Sequence, residues 1–230
     1  YNWPQSAAHL YSVARRMIGA SHTKSNRQKL SIVSPWRTTC GIAEYAQALT
    51  RGWEANFDLR VYCDTRTAPN FEQELYTPSW ILGNQESILE LFETLQKEAL
   101  AGRLDVLFVQ HQQSLFLLTD EVSLALRQLS QCGVHVILEL HSTLPIVREA
   151  RIGRRAAQAL RDLDLVLVHK VEDVNYMLGL GLIDNVMHLP LSVASLDSTV
   201  PAKTRLSLGL ADSDWVLGCF GILWPHKGVD

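Results

Sequence analysis

The feature that most constrains this chain is an alternation. From Lys29 onward, short apolar runs rich in β-branched residues are separated by longer stretches of helical period. Strands read as near-continuous hydrophobic runs when helices bury them on both faces, which is the condition of a parallel sheet. The candidate strands are Leu30–Val33, Leu59–Cys63, Val106–Val109, Val134–Leu140, Leu165–Val168 and Val186–Leu189. Between them, Asn84 is placed to cap a helix whose Ile88, Leu91, Phe92, Leu95 and Ala99 recur on one face before Gly102 stops it. Thr119, with Asp120 and Glu121 in the first turn, opens another through Val122, Ala125, Leu126 and Leu129, ended by Gly133. The pattern predicts an α/β fold: a Rossmann-like parallel sheet flanked by helices. With 230 residues there is room for one domain or one and a half. Hydrophobic and charged fractions of 47% and 20% set aside disordered, collagen-like and coiled-coil alternatives.

Composition narrows the function classes. A formal charge of −3 supplies no basic field, which argues against a nucleic-acid binder that works by neutralising phosphates. The cysteines, Cys40, Cys63, Cys132 and Cys219, form no C-x-x-C pair, so neither a zinc knuckle nor a disulfide framework is written, and a reducing, cytoplasmic setting fits. No apolar run approaches the roughly 20 residues of a membrane span. The opening at Tyr1 and the stop after Lys227-Gly228 read as the ends of an excised segment. The expected organisation is a helix and linker over 1–28, with a polar, basic SHTKSNRQK stretch; a Rossmann-like domain over 29–192; and a linker with a fresh strand, starting near Trp215, over 193–230.

In open parallel sheets, ligands bind beyond the carboxyl ends of the strands. His111, His141 and His169 each stand at such an end. The first strand leads through Ser34-Pro35-Trp36 into Cys40-Gly41-Ile42-Ala43-Glu44-Tyr45, a turn feeding a helix whose Ile42, Tyr45, Leu49 and Trp53 share a face. Free N–H groups at that helix start favour an anion, so the rim suits a phosphorylated ligand. Each histidine has a plainer reading as a half-buried, hydrogen-bonded side chain. No pair of histidines has helical i, i+4 spacing, so no metal site is expected. Gly179-Leu180-Gly181 reads as a helix C-terminal turn rather than a dinucleotide fingerprint.

These segments resemble family 4 retaining glycosyltransferases, enzymes of the two-domain GT-B fold. Ser34-Pro35-Trp36 with Cys40 to Tyr45 is similar to the family's first loop and helix. Val109-Gln110-His111 with Leu115-Phe116 resembles its "QHE-x-G-x-F" stretch, and Leu140-His141-Ser142 its next strand end. Leu206 to Leu210, then Val216 to Gly221 with Pro225, His226, Lys227 and Gly228, resemble "L-R-x-x-L-G-L" and "F-G-x-L-x-P-x-K-G". Tyr1 to Ala7 is similar to a carboxyl-terminal helix of the same family, so the stretch is either the tail of an upstream transferase unit or an ordinary helix burying Trp3, Leu10 and Val13.

The resemblance implies the amino-terminal, acceptor-side half of a GT-B enzyme. Such an enzyme moves a sugar from a nucleotide-sugar donor to a glycan or lipid-linked acceptor with retention, in bacterial polysaccharide biosynthesis, and needs no metal or other cofactor. It carries His111 over as the catalytic contact to sugar, Cys40, Gly41 and Lys227 to the donor phosphates, and Trp36, Glu44, Tyr45 and His141 to the acceptor. The chain departs from the pattern at Cys40 (a glycine in the family), Gln112 (a glutamate) and Ile222 (an arginine). The family's Glu-x7-Glu grip on the donor would come after Asp230, so the segment by itself is expected to bind donor weakly and transfer nothing. The alternatives are a sugar-nucleotide 2-epimerase of the same fold and a non-catalytic docking domain. Arg148, Arg151, Arg154 and Arg155 on one helix face read as a solvated surface or as peripheral contact with anionic lipid at the inner face of a membrane.

Overall fold

The computed structural model describes residues 8–13, 27–67, 75–143, 154–182, 184–191, 205–211 and 213–217. The chain divides into two compact units, Tyr1–Ala194 and Ser195–Asp230. In the first, the described strands are β1 (Gln28–Val33), β2 (Phe57–Asp64), β3 (Tyr76–Trp80), β4 (Val106–His111), β5 (His135–Leu140), β6 (Leu165–Val168) and β7 (Val186–His188). They form one sheet in the order β3-β2-β1-β4-β5-β6-β7, and every pairing is parallel. The helices are α1 (Gly41–Trp53), α2 (Gln85–Leu100), α3 (Asp120–Gln131), α4 (Arg154–Arg161) and α5 (Val171–Gly179), with residues 8–13 also helical. This is the Rossmann-like α/β fold that the alternation predicts.

The two expected caps form. Asn84 Oδ1 accepts from the Ser87 N–H at 3.0 Å, and Thr119 Oγ1 from the Val122 N–H at 3.4 Å. Gly102 and Gly133 come after α2 and α3 with φ of 65° and 85°, a left-handed turn that a side chain resists, and each turns the chain into the next strand.

The sheet has a core on each face. On one, Ile88, Leu91, Phe92 and Leu95 of α2 pack with α3 residues against Leu107, Val109, Val136, Leu138 and Val166. Burial of such side chains contributes about 2 kcal/mol each. On the other, Tyr45, Leu49 and Trp53 of α1 and Leu10 cover Leu30, Ile32, Val106, Phe108, Ile137 and Leu167. Tyr11 meets the Phe57 ring edge-on at 5.7 Å.

The strands depart from the sequence expectation in one whole element and at several ends, with β1 starting at Gln28, β2 spanning Phe57–Asp64 and β7 stopping at His188. The stretch from Thr65 to Leu82 reads as loop, yet β3 lies within it. Its sequence YTPSW is polar and contains Pro78, which an edge strand tolerates because one side needs no donor. β4 continues through Gln110 and His111, so His111 belongs to the strand it is expected to close. β5 starts at His135 rather than Val134. The helix expected from Arg148 to Asp162 is described over α4, where Ala156 and Leu160 are buried; Arg148 and Arg151 and the side chains of Arg154 and Arg155 lie outside the described residues. Trp3 and Lys227 also lie outside them. In the second unit, Leu206–Leu208 forms a 3-10 turn and Trp215 to Leu217 are exposed. No described helix is long and apolar enough to cross a membrane.

Candidate functional site

Strand period two sets the site's geometry. Leu30 and Ile32, Val106 and Phe108, Ile137, and Leu165 and Leu167 all face α1. Two residues further along each strand come Ser34, Gln110, Glu139 and His169, on the same face at the carboxyl edge. Gln110 lies opposite Glu139 in the ladder. Leu140 lies opposite Val168, so the next pair, His141 and His169, stand side by side with ring centroids 4.8 Å apart. An apolar strand face thus ends in a polar row where four strands meet one helix.

Hydrogen bonds join the row. Ser34 Oγ donates to Gln110 Oε1 at 2.6 Å, Gln110 Nε2 donates to Glu139 Oε2 at 2.8 Å, and Tyr45 of α1 donates its hydroxyl to Glu139 Oε1 at 3.1 Å. His169 Nδ1 lies 2.8 Å from the Leu189 carbonyl, which can only accept, so that nitrogen carries the proton. His169 Nε2 and His141 Nδ1 lie 3.2 Å apart and share a hydrogen bond. His141 Nε2 is left without a hydrogen-bond partner, buried, and 3.6 Å from Glu139 Oε2. His169 Nε2 is 3.7 Å from Glu139 Oε1.

Exclusion of water governs the electrostatics. Burial pushes the Glu139 carboxyl above its ordinary value, with His169, Gln110 and Tyr45 opposing. Burial, and then the neighbouring His169 and His111, lowers His141 to about 3. Tyr45 is raised by burial and by the Glu139 charge. The cluster therefore gathers titratable groups where water is excluded, a placement suited to acid–base work or to taking up a cation.

Of the residues expected at the site, Tyr45 and His141 meet in this cluster, their rings edge-on at 5.8 Å. His111 ends β4 and Gly41 comes after β1; these strands are parallel neighbours, so both residues lie at the carboxyl edge. His111, however, points to the opposite face from Gln110, against the α2–α3 core. It is fully enclosed, donates from Nε2 to the Phe116 carbonyl at 3.0 Å, and burial lowers it to about 4. Its Nδ1 has no hydrogen-bond partner. Contact with a ligand there requires the following loop to shift.

Cys40 is the N-cap of α1 and lends no side-chain cap, so the first-turn N–H groups face the rim. Gly41 is exposed, and a Cβ on it would meet nothing within 4 Å. Glu44 is exposed on the first turn of α1. Trp36 is buried with its ring 6.4 Å from that of Tyr76 and its Nε1 unpartnered. Arg37, at φ 48°, places its guanidinium 5.4 Å from the Tyr76 ring centroid, and Arg66 pairs with Asp64 at 2.6 Å; both are cations of this edge that no motif in the sequence points to.

Sequence reasoning also misses Ser34, Gln110 and Glu139 as site residues and gives His169 little weight. The available signal is a charged residue inside the apolar strand VHVILEL, together with Glu139 and His141 two apart. Among the described residues, Glu139, His141 and His169 form the group able to hold a metal ion, one ligand atom from each lying within 4.8 Å of the others. Helical spacing cannot reveal it, because the group is assembled by strand period and cross-strand register. Comparison with family models, with curated proteins and with solved structures returns no significant match to this chain.

Proposed function

We propose that this chain is the acceptor-side domain of a retaining GT-B glycosyltransferase, acting with a donor-side domain that begins after residue 195 in the full protein. The observation that carries the reading is the switch point of the sheet. β1 is flanked by β2 on one side and β4 on the other, so the chain's crossovers part there and leave a crevice beyond their carboxyl ends. At that edge stand the uncapped start of α1 at Cys40 and Gly41 and, enclosed behind it, the polar row of Ser34, Gln110 and Glu139, with His141 and His169 slightly exposed.

N–H groups and a helix dipole favour the diphosphate that leaves a nucleotide sugar. Polar side chains inside an apolar wall favour sugar hydroxyls, since each missing partner on either side is penalised. Retaining transfer asks the protein to stabilise the leaving diphosphate while an acceptor hydroxyl attacks from the same face. In this reading Cys40 and Gly41 approach the diphosphate, while Trp36, Glu44, Tyr45 and His141 border the acceptor and His111 supports the sugar-binding edge. The acceptor is a glycan or a lipid-linked saccharide.

The test is titration of the chain with UDP-, GDP- and ADP-sugars, monitored by amide and imidazole NMR signals. One nucleotide class is expected to shift Gly41, Ile42 and His141 together. Shifts confined to other regions, or none with any nucleotide at millimolar concentration, overturn the reading.

A further inference from the structure

From the placement of Glu139, His141 and His169 we infer that the carboxyl edge of β5 and β6 is a binding site for one borderline divalent cation, Zn2+ foremost, held by two imidazoles and a carboxylate. The inference does not depend on the transferase reading, and no step of sugar transfer is routed through the cation.

Proton bookkeeping leads to it. The Leu189 carbonyl holds a proton on His169 Nδ1, which aims Nε2 inward. His141 shares a hydrogen bond with His169 through Nδ1, so its Nε2 is turned toward Glu139 with no hydrogen-bond partner. A buried imidazole nitrogen without a partner thus faces an enclosed carboxyl oxygen across 3.6 Å, an arrangement that a cation or an added proton relieves.

Distances and chemistry favour the metal. Ligands bonded at 2.0–2.2 Å in a tetrahedron lie roughly 3.4 Å apart. His141 Nε2 stands 3.6 Å from Glu139 Oε2 and His169 Nε2 3.7 Å from Glu139 Oε1, and one ligand atom from each residue lies within 4.8 Å of the others, so side-chain rotations that draw them together complete the shell. Two imidazoles with one carboxylate are the donor set of a borderline ion, and three protein ligands leave a fourth position for water. Partners that orient the ligands are already in place: Tyr45 and Gln110 on Glu139, and the Leu189 carbonyl on His169. His141 and His169 are 9% and 8% exposed at the side chain, so an ion can enter from the rim.

The test uses the whole chain after treatment with a chelator. Titration with Co2+ is expected to reach one equivalent with the intense visible bands of a four-coordinate ion, displaced by one equivalent of Zn2+, and Zn2+ raises Tm. H141A and H169A each weaken binding by about 100-fold or more, and Y45F, which removes only an orienting donor, by about tenfold. H135A, altering a histidine at the opposite edge of the sheet, leaves binding unchanged. Absence of the four-coordinate bands at one equivalent overturns the inference, and so does undiminished binding in both H141A and H169A. Should those variants fail to fold, imidazole 15N signals of the unaltered protein decide. Zn2+ is expected to shift those of His141 and His169 and spare those of His111 and His135, and lack of any shift at the first pair overturns the site.

Discussion

The amino edge of the sheet ties its charges down, whereas the carboxyl edge gathers ionisable groups where water is excluded and leaves a nitrogen of His111 and one of His141 unpartnered. At the amino edge, the Lys29 N–H donates to Asp105 Oδ2 at 2.8 Å, His135 Nδ1 to Asp164 Oδ1 at 2.9 Å, and the Val136 N–H to Asp164 Oδ2 at 2.9 Å. Those carboxylates immediately precede β4 and β6, and Lys29 and His135 are half-exposed. At the carboxyl edge, Glu139 is fully enclosed, His141 Nε2 lacks a partner, and burial works against the charged forms of both. Folding alone gives no reason to place such groups there, since an apolar row would be as well packed and free of the desolvation penalty. A hollow does not identify the working edge either. A cavity of about 400 Å3 lies at the amino edge beside Arg27, Lys29, Glu54 and Phe57, away from the polar row.

Gln110→Leu breaks the carboxyl edge most sharply. It removes the donor to Glu139 Oε2 and strands the Ser34 hydroxyl, leaving an enclosed carboxylate with Tyr45 as its remaining side-chain donor. The expected loss is about 3–4 kcal/mol in urea unfolding, near the range for breaking a buried charged pair. A loss below about 1 kcal/mol would mean that Glu139 is protonated and undemanding, and the contrast between edges would fail.

Acid is expected to act through the same edge. His111 is held neutral by burial, its value lowered from 6.5 to about 4. A depressed folded value means the contribution is fully present above the unfolded value of 6.5 and is lost as pH falls toward and through 4. The linked loss is on the order of 3 kcal/mol. Measured between about pH 7 and pH 4, unfolding free energy should fall with that sign, and H111L should flatten this part of the slope. An unchanged slope in H111L would assign the acid sensitivity to other groups.

The amino edge is expected to show the opposite sign and a smaller size. The hydrogen bond that His135 donates to Asp164 raises its value above 6.5, against the cost of partial burial. Its contribution is therefore present below the unfolded value and lost as pH rises through the folded one. With the side chain 34% exposed, solvent screening holds the effect under about 1 kcal/mol. H135A should accordingly destabilise more at about pH 6 than at about pH 9. A larger effect at the higher pH would reverse the assignment.

The same contrast explains how far the sequence is legible. Apolar runs and caps are local signals, so β1, β2, β4, β5 and β6 and the starts of α2 and α3 can be read directly, while β3 cannot, because an edge strand with Pro78 lacks the buried signature. Chemistry can be sought in the sequence only one strand at a time, at the residues just past each apolar run. That search brings His111 forward, although its parity in β4 sends it to the α2–α3 core, and it passes over Glu139, whose meaning depends on Gln110 beside it and Tyr45 above it. Register and parity jointly make the polar row, and neither is visible until neighbouring strands are known.

The smallest expected effect on stability separates folding from binding. Gly41 opens α1 on an exposed turn where a Cβ meets no atom within 4 Å, so Gly41→Ala should leave unfolding free energy within about 0.5 kcal/mol, with any change toward stability because alanine favours helix. If the start of α1 receives a diphosphate, the added methyl stands where the ligand's oxygens must approach the N–H groups. Nucleotide-sugar affinity should then fall about tenfold or more, close to the loss of one charge-assisted hydrogen bond. Equal affinity in G41A and the unaltered chain, measured by the same NMR titration, would remove the α1 start from the ligand's path and leave the polar row as the part of the carboxyl edge still needing a ligand to explain it.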